Sequence, residues 1–248
     1  MNARETHYAD YLGFLQSLHK AGADFFVEGG QAVNFWAEYI DSCDRTHALD
    51  PLRPFTSKDC DIWVSSNAWE KIKQKPGGIL RKSTSPADGQ LAILTLDQEP
   101  PLVVDLMTTV YGLRLQDLPR LLERALDDGG VKVLDPIYLF LSKCHCLLGL
   151  DQSGRQDERH VRMLALILPE YLALLMAKAG EEGITDRAIL REIKLLLKIL
   201  GSRACRRAMD QLEIDPDSLI PWKRMETCGL AALEVFVQAQ RNRRRPQR

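Results

Sequence analysis

The segment Ser57-Lys58-Asp59-Cys60-Asp61-Ile62-Trp63-Val64 constrains the fold more than any other. It reads as a short strand, and a strand sends successive side chains to opposite faces. Asp59 and Asp61 therefore share one face, while Cys60, Ile62 and Val64 share the other and suit a packed interior. Aspartate is poorly suited to strand interiors. Two carboxylates on one face repel each other unless a proton or a cation lies between them. A divalent cation such as Mg²⁺, which is held by a few carboxylates plus substrate phosphates, is the usual answer. A solvated strand edge is the plainer alternative.

Two other segments extend the pattern. Upstream, Phe25-Phe26-Val27-Glu28-Gly29-Gly30-Gln31-Ala32-Val33 reads as a strand over 24–28 that breaks on two glycines and then becomes a helix over 31–43. Glycine lets the backbone approach a ligand with no Cβ in the way. The free N–H groups at the start of the helix make an anion site. A tight strand-to-helix turn with no ligand is the alternative. Downstream, Leu102-Val103-Val104-Asp105-Leu106-Met107 reads as a buried strand with one aspartate inside it. Gln90 to Leu96 and Leu102 to Leu106 are separated by five residues, which predicts an antiparallel hairpin. Asp105 would then lie on a central strand within reach of Asp59 and Asp61.

Strand, Gly-Gly, helix, then D-x-D on a strand, then a third acidic strand residue: this order resembles the nucleotidyltransferase superfamily related to DNA polymerase beta. The resemblance implies an α+β fold, a minimal mixed β-sheet with flanking helices. It implies that Gly29 and Gly30 hold nucleotide phosphates, with Gln31 beside them where the family often has serine. It assigns Asp59 and Asp61 to Mg²⁺ or Mn²⁺. Asp105 would complete the metal site and help deprotonate the acceptor. The implied reaction moves a nucleotide from an NTP to a hydroxyl group on tRNA, a protein or a small molecule.

After about residue 115 the pattern turns helical. A helix is expected over 115–126, a loop at 127–130, an extended piece at 131–134, and then helices over 136–149, 158–178, 185–199, 202–212 and 227–241. The expected organisation is a catalytic domain over 1–115, a C-terminal helical bundle over 116–240 and a basic tail over 241–248. Within the second part, Leu141-Ser142-Lys143-Cys144-His145-Cys146-Leu147-Leu148 is followed by Gly154-Arg155-Gln156-Asp157-Glu158-Arg159-His160-Val161. This pairing resembles the AbiEii-like branch of the superfamily, which includes toxins of toxin–antitoxin systems. The resemblance implies that Lys143 contacts nucleotide phosphate, that Asp157 supports the active site, and that an antitoxin protein is a partner. Read from the residues alone, Lys143 either meets an anion or snorkels to the surface, and Asp157 is equally an N-cap. His145 and His160 match no metal-binding spacing and read as structural or exposed.

The net charge of -1 excludes long-range attraction of the whole molecule to nucleic acid. An RNA contact would need a local patch such as Arg241–Arg248. The six cysteines show no C-x-x-C spacing and read as reduced thiols. No apolar segment marks the N-terminus as a signal peptide, and no apolar stretch is expected to span a membrane. A cytoplasmic protein with no membrane partner is the expectation. A nucleotidyltransferase-like fold that binds a nucleotide or a partner without catalysis is the second reading.

Overall fold

The computed structural model describes residues 5–43, 47–74, 76–83, 89–179 and 184–244. In chain order the elements are α1 (Tyr8–Lys20), β1 (Phe25–Val27), α2 (Gly29–Cys43), β2 (Cys60–Val64), α3 (Ser66–Gln74), β3 (Gly78–Lys82), β4 (Gln90–Leu96) and β5 (Val103–Met107). They are followed by α4 (Leu118–Arg124), β6 (Leu126–Asp128), β7 (Val131–Val133), α5 (Pro136–Gly149) and α6 (Asp157–Ala177). The last four are α7 (Asp186–Leu200), α8 (Arg203–Leu212), α9 (Trp222–Thr227) and α10 (Ala231–Arg244).

The fold is α+β, as expected. Seven strands form one mixed sheet in the order β3-β4-β5-β2-β1-β7-β6. β1 runs antiparallel to β2 and parallel to β7, and β2 runs parallel to β5. The expected hairpin of β4 and β5 is present and antiparallel. Residues 126–128, expected at a helix end and in a loop, instead pair with β7 as β6. Tertiary pairing overrides the poor strand preference of Asp127 and Asp128 here.

Two compact units divide the chain, Met1–Leu164 and Ala165–Arg248, with the division inside α6. The first unit runs past the boundary expected near residue 115, because β7 pairs with β1 and α5 packs on α2. Its core joins the sheet to α1, α2 and α5. Phe26, Val27, Ile62, Val104 and Leu106 from the strands are fully buried, each such side chain being worth about 1.5–3 kcal/mol. Trp36 on α2 is buried and donates its indole N–H to the Leu134 carbonyl at 2.8 Å, tying α2 to the end of β7. Trp63 stacks on Phe26, with ring centroids 5.0 Å apart, so it is a core residue. α5 begins where Asp135 caps it, accepting from the N–H groups of Ile137 and Tyr138 with Pro136 in the first turn.

In the second unit α10 packs on α7 and α9, and α7 on α8. Thr185 and Ser202 cap α7 and α8 through their hydroxyls. Ile189, Ile193, Leu196 and Leu200 make the buried stripe of α7. Of the tail expected over 241–248, α10 includes residues up to Arg244, and 245–248 lie outside the described residues. By length and composition α6 is long and apolar enough to cross a membrane, with Arg162 and Glu170 interrupting its apolar run. Within the fold its Val161, Met163, Leu164, Ile167 and Leu168 are buried, as in a core helix.

Candidate active site

Asp61 lies on β2 and pairs in register with Asp105 on the parallel strand β5. Residues opposite each other on adjacent strands share a face. Asp59 stands just before β2, in a bend rather than inside the strand as expected. It nevertheless lines the same pocket of about 310 Å³ as Asp61 and Asp105. Cys60, Ile62 and Val64 are buried on the other side, as the alternation predicts.

The diglycine bend meets this acidic cluster. Gly29 has φ +64°, a conformation that glycine adopts without penalty. A Cβ built on Gly29 would overlap the Asp61 carboxylate, and one built on Gly30 would lie 2.6 Å from Ser57 Oγ. Both glycines line the pocket and open the 15-residue helix α2. Its first N–H groups therefore bring a positive dipole end to the acidic pocket. Gln31 is corrected. It is fully buried and is not among the pocket-lining residues. Its amide donates to the Thr6 carbonyl at 2.9 Å and to Thr6 Oγ1, and its oxygen accepts from Asn34. It anchors the segment before α1 to α2.

Lys143 and Asp157 do come to the pocket, from α5 and the start of α6. They are joined in a buried ion pair at 2.9 Å, and Arg155 binds the second carboxylate oxygen of Asp157 at 2.6 Å. Lys143 is therefore engaged, and an anionic ligand would have to share it with Asp157. The N-cap alternative for Asp157 gives way to this pairing. Burial pushes the Asp157 carboxyl up, but Lys143 and Arg155 outweigh it and hold it at about 2. Burial likewise opposes the charge on Lys143, and Asp157 restores it, leaving the ammonium above its ordinary value.

The acidic wall behaves in the opposite way. Burial, then the neighbouring Asp59, pushes Asp61 up to about 7, with Asp105 adding to the rise and Lys143 opposing it. Glu28, just after β1, is 5% exposed and has a buried Oε1 with no hydrogen-bond partner among the described residues. Burial and Asp61 hold its carboxyl well above the carboxylate range. Its backbone N–H donates to the Asp61 carbonyl at 2.9 Å.

Among the described residues, no three His, Cys, Asp or Glu side chains stand close enough to hold a metal ion as they are. Repulsion between metal-free carboxylates opposes such closeness, and the raised Asp61 shows that repulsion at work. The donor chemistry fits a small hard cation all the same: Asp59, Asp61 and Asp105 border one pocket, and burial together with Asp59 raises Asp61 to about 7.

Glu28, Ser57, Gln90, Arg155 and His160 also line the pocket, and none was assigned to it from sequence. Arg155 precedes Asp157 by two residues, and Glu28 closes an apolar strand immediately before two glycines. Those were the available signals. His160, expected to be structural or exposed, is buried, and among the described residues neither ring nitrogen has a hydrogen-bond partner. Burial, then Lys143, keeps it neutral. His145 is half-buried.

No family model matches this chain, and no curated protein matches it. Among solved structures it is similar to an antigenic nucleotidyltransferase-like protein from Paracoccidioides brasiliensis. The TM-score is 0.41 at 14% identity, over 86% of this chain and 93% of that one. A likeness of that degree assigns no role to any residue here.

Proposed function

We propose that the protein is a nucleotidyltransferase that moves a nucleotide from an NTP to a hydroxyl acceptor, the hydroxyl oxygen bonding to the α-phosphorus as the bond to the departing pyrophosphate breaks. The observation that carries this reading is the register of Asp61 with Asp105 beside the Gly29–Gly30 bend, with Asp59 on the same pocket. The pocket joins an acidic wall to a helix N-terminus and to the cations Lys143 and Arg155. Such a place suits a polyanion accompanied by a divalent cation.

Asp59, Asp61 and Asp105 would hold Mg²⁺ or Mn²⁺, which when bound polarises phosphoryl oxygens and offsets their charge. The chain's own contribution is positioning and charge. The α2 N–H groups receive phosphate oxygens. Arg155, half-exposed in its ion pair, and Lys143 supply positive charge to the same pocket. Asp105, which lines the pocket from β5, would take the acceptor's hydroxyl proton.

The AbiEii-like relationship, and with it a toxin role and an antitoxin partner, belongs to the same proposal and rests on Lys143 and the Arg155–Asp157 turn. So do a cytoplasmic location and an RNA acceptor. The second reading, a binder without catalysis, is favoured by one observation: Lys143 is already neutralised by Asp157. The test is incubation of the purified chain with α-labelled NTPs, Mg²⁺, and RNA or protein extract. Label transfer that disappears in an Asp59→Ala, Asp61→Ala double variant is the expected result. Mg²⁺-dependent NTP binding with no transfer would favour the binder.

A further inference from the structure

We propose that Gln90 is a positioning residue for Asp105, put in place by a bulge in β4. The proposal rests on the nucleotidyltransferase reading, since it takes Asp105 as a working carboxylate.

Pairing between β4 and β5 is regular from Thr95 opposite Val103 to Ala92 opposite Leu106. Beyond that point the register shifts, and Met107 is met by Gln90 rather than by Leu91. One extra residue sits in β4. Ile93, opposite Asp105, shares its face, whereas Ala92, Leu94 and Leu96 occupy the other face and are buried. A regular strand would send Gln90 to that buried face with Ala92 and Leu94, because residues two apart point the same way. The inserted residue changes the parity. Gln90 therefore comes to the face of Met107 and Asp105, and all three line the pocket. Its Nε2 donates to Asp105 Oδ2 at 2.9 Å. Bulges next to functional sites commonly re-aim one side chain in this way.

The donor's chemistry matches the task. An amide N–H fixes the carboxylate's orientation, yet it carries no charge. A lysine or arginine at position 90 would hold Asp105 as firmly but would neutralise it, and the pocket would lose part of its attraction for a cation. Outer partners of this kind typically affect metal affinity or turnover about 10–100-fold when removed.

The test uses Gln90→Met, which keeps the side-chain length and removes the donor, and Gln90→Glu, which adds a like charge. Asp105→Asn is the reference. Mn²⁺ binding is followed by loss of the free-ion paramagnetic resonance signal, kcat and KM by nucleotide transfer, and folding by thermal denaturation. The expected result is weaker Mn²⁺ binding and a kcat lower by about tenfold in Gln90→Met, with KM for the NTP and the melting temperature little changed, and a larger loss in Gln90→Glu. Wild-type Mn²⁺ affinity and kcat in Gln90→Met, alongside a clear loss in Asp105→Asn, would overturn this inference alone. An Asp105→Asn variant that binds Mn²⁺ and turns over like wild type would overturn the reading of the site, and this inference with it.

Discussion

Gly29 and Asp61 occupy interlocking positions: the place where a Cβ would sit on Gly29 is filled by the Asp61 carboxylate. The same bend is fastened one residue earlier, where the Glu28 N–H meets the Asp61 carbonyl. The end of β1 and the acidic strand β2 are thus one piece of construction. Moving the bend moves Asp61.

Gly29→Ala should therefore be damaging twice over. The left-handed φ disfavours any Cβ by about 1–2 kcal/mol, and the new methyl group collides with Asp61. Chemical denaturation should show a loss of about 2 kcal/mol or more, accompanied by loss of Mn²⁺ affinity. Gly13, in α1, has open space around its Cβ position. Gly13→Ala should leave stability unchanged or raise it slightly.

Asp61 should destabilise the metal-free protein at neutral pH. Its pKa rises from 3.8 to about 7 on folding, so the folded state binds the extra proton. The stability that this proton lends is complete below about pH 4 and is lost as pH rises through about 7. Melting temperatures of the wild type and Asp61→Asn, measured without metal, should agree near pH 4. By pH 8 the variant should melt higher. Added Mg²⁺ should raise the wild-type melting temperature at pH 8 and leave Asp61→Asn unmoved.

Asp157 carries the opposite sign. Held at about 2 in the fold against an ordinary 3.8, it stabilises the protein above about pH 4 and stops doing so as pH falls through 2. Asp157→Asn leaves the buried Lys143 uncompensated, and removing one partner of a buried pair typically costs about 3–5 kcal/mol. Urea denaturation at pH 7 should show a loss of that order. The double variant Lys143→Met, Asp157→Asn should recover a measurable part of it, because no buried ammonium remains unpaired.

The backbone plan was legible because each element had a local cause. Alternation marked β2, β4 and β5, the glycine pair marked the start of α2, and 3.6-residue periodicity marked α5 to α8. The site was legible only where its residues interrupted those patterns. Asp59, Asp61 and Asp105 stand out in apolar surroundings. Gln90 does not, since its place depends on a parity change that only pairing with β5 reveals. Arg155 and His160 reach the pocket from the turn after α5 and the start of α6, nearly a hundred positions after β2. Gln31 looked like a ligand contact beside two glycines. Its partner Thr6 lies 25 positions away and could not be inferred from neighbours. The strand β6 was hidden by two aspartates that pairing with β7 overrides.

In the proposed function, Asp59, Asp61 and Asp105 act together on one cation that accompanies a nucleotide. Calorimetric titration of the wild-type chain with a non-hydrolysable NTP, with and without Mg²⁺, tests it most directly. Binding should appear only with Mg²⁺ and should be lost separately in Asp59→Asn, Asp61→Asn and Asp105→Asn. Equal binding without Mg²⁺, or full binding in any one of the three variants, would contradict the account.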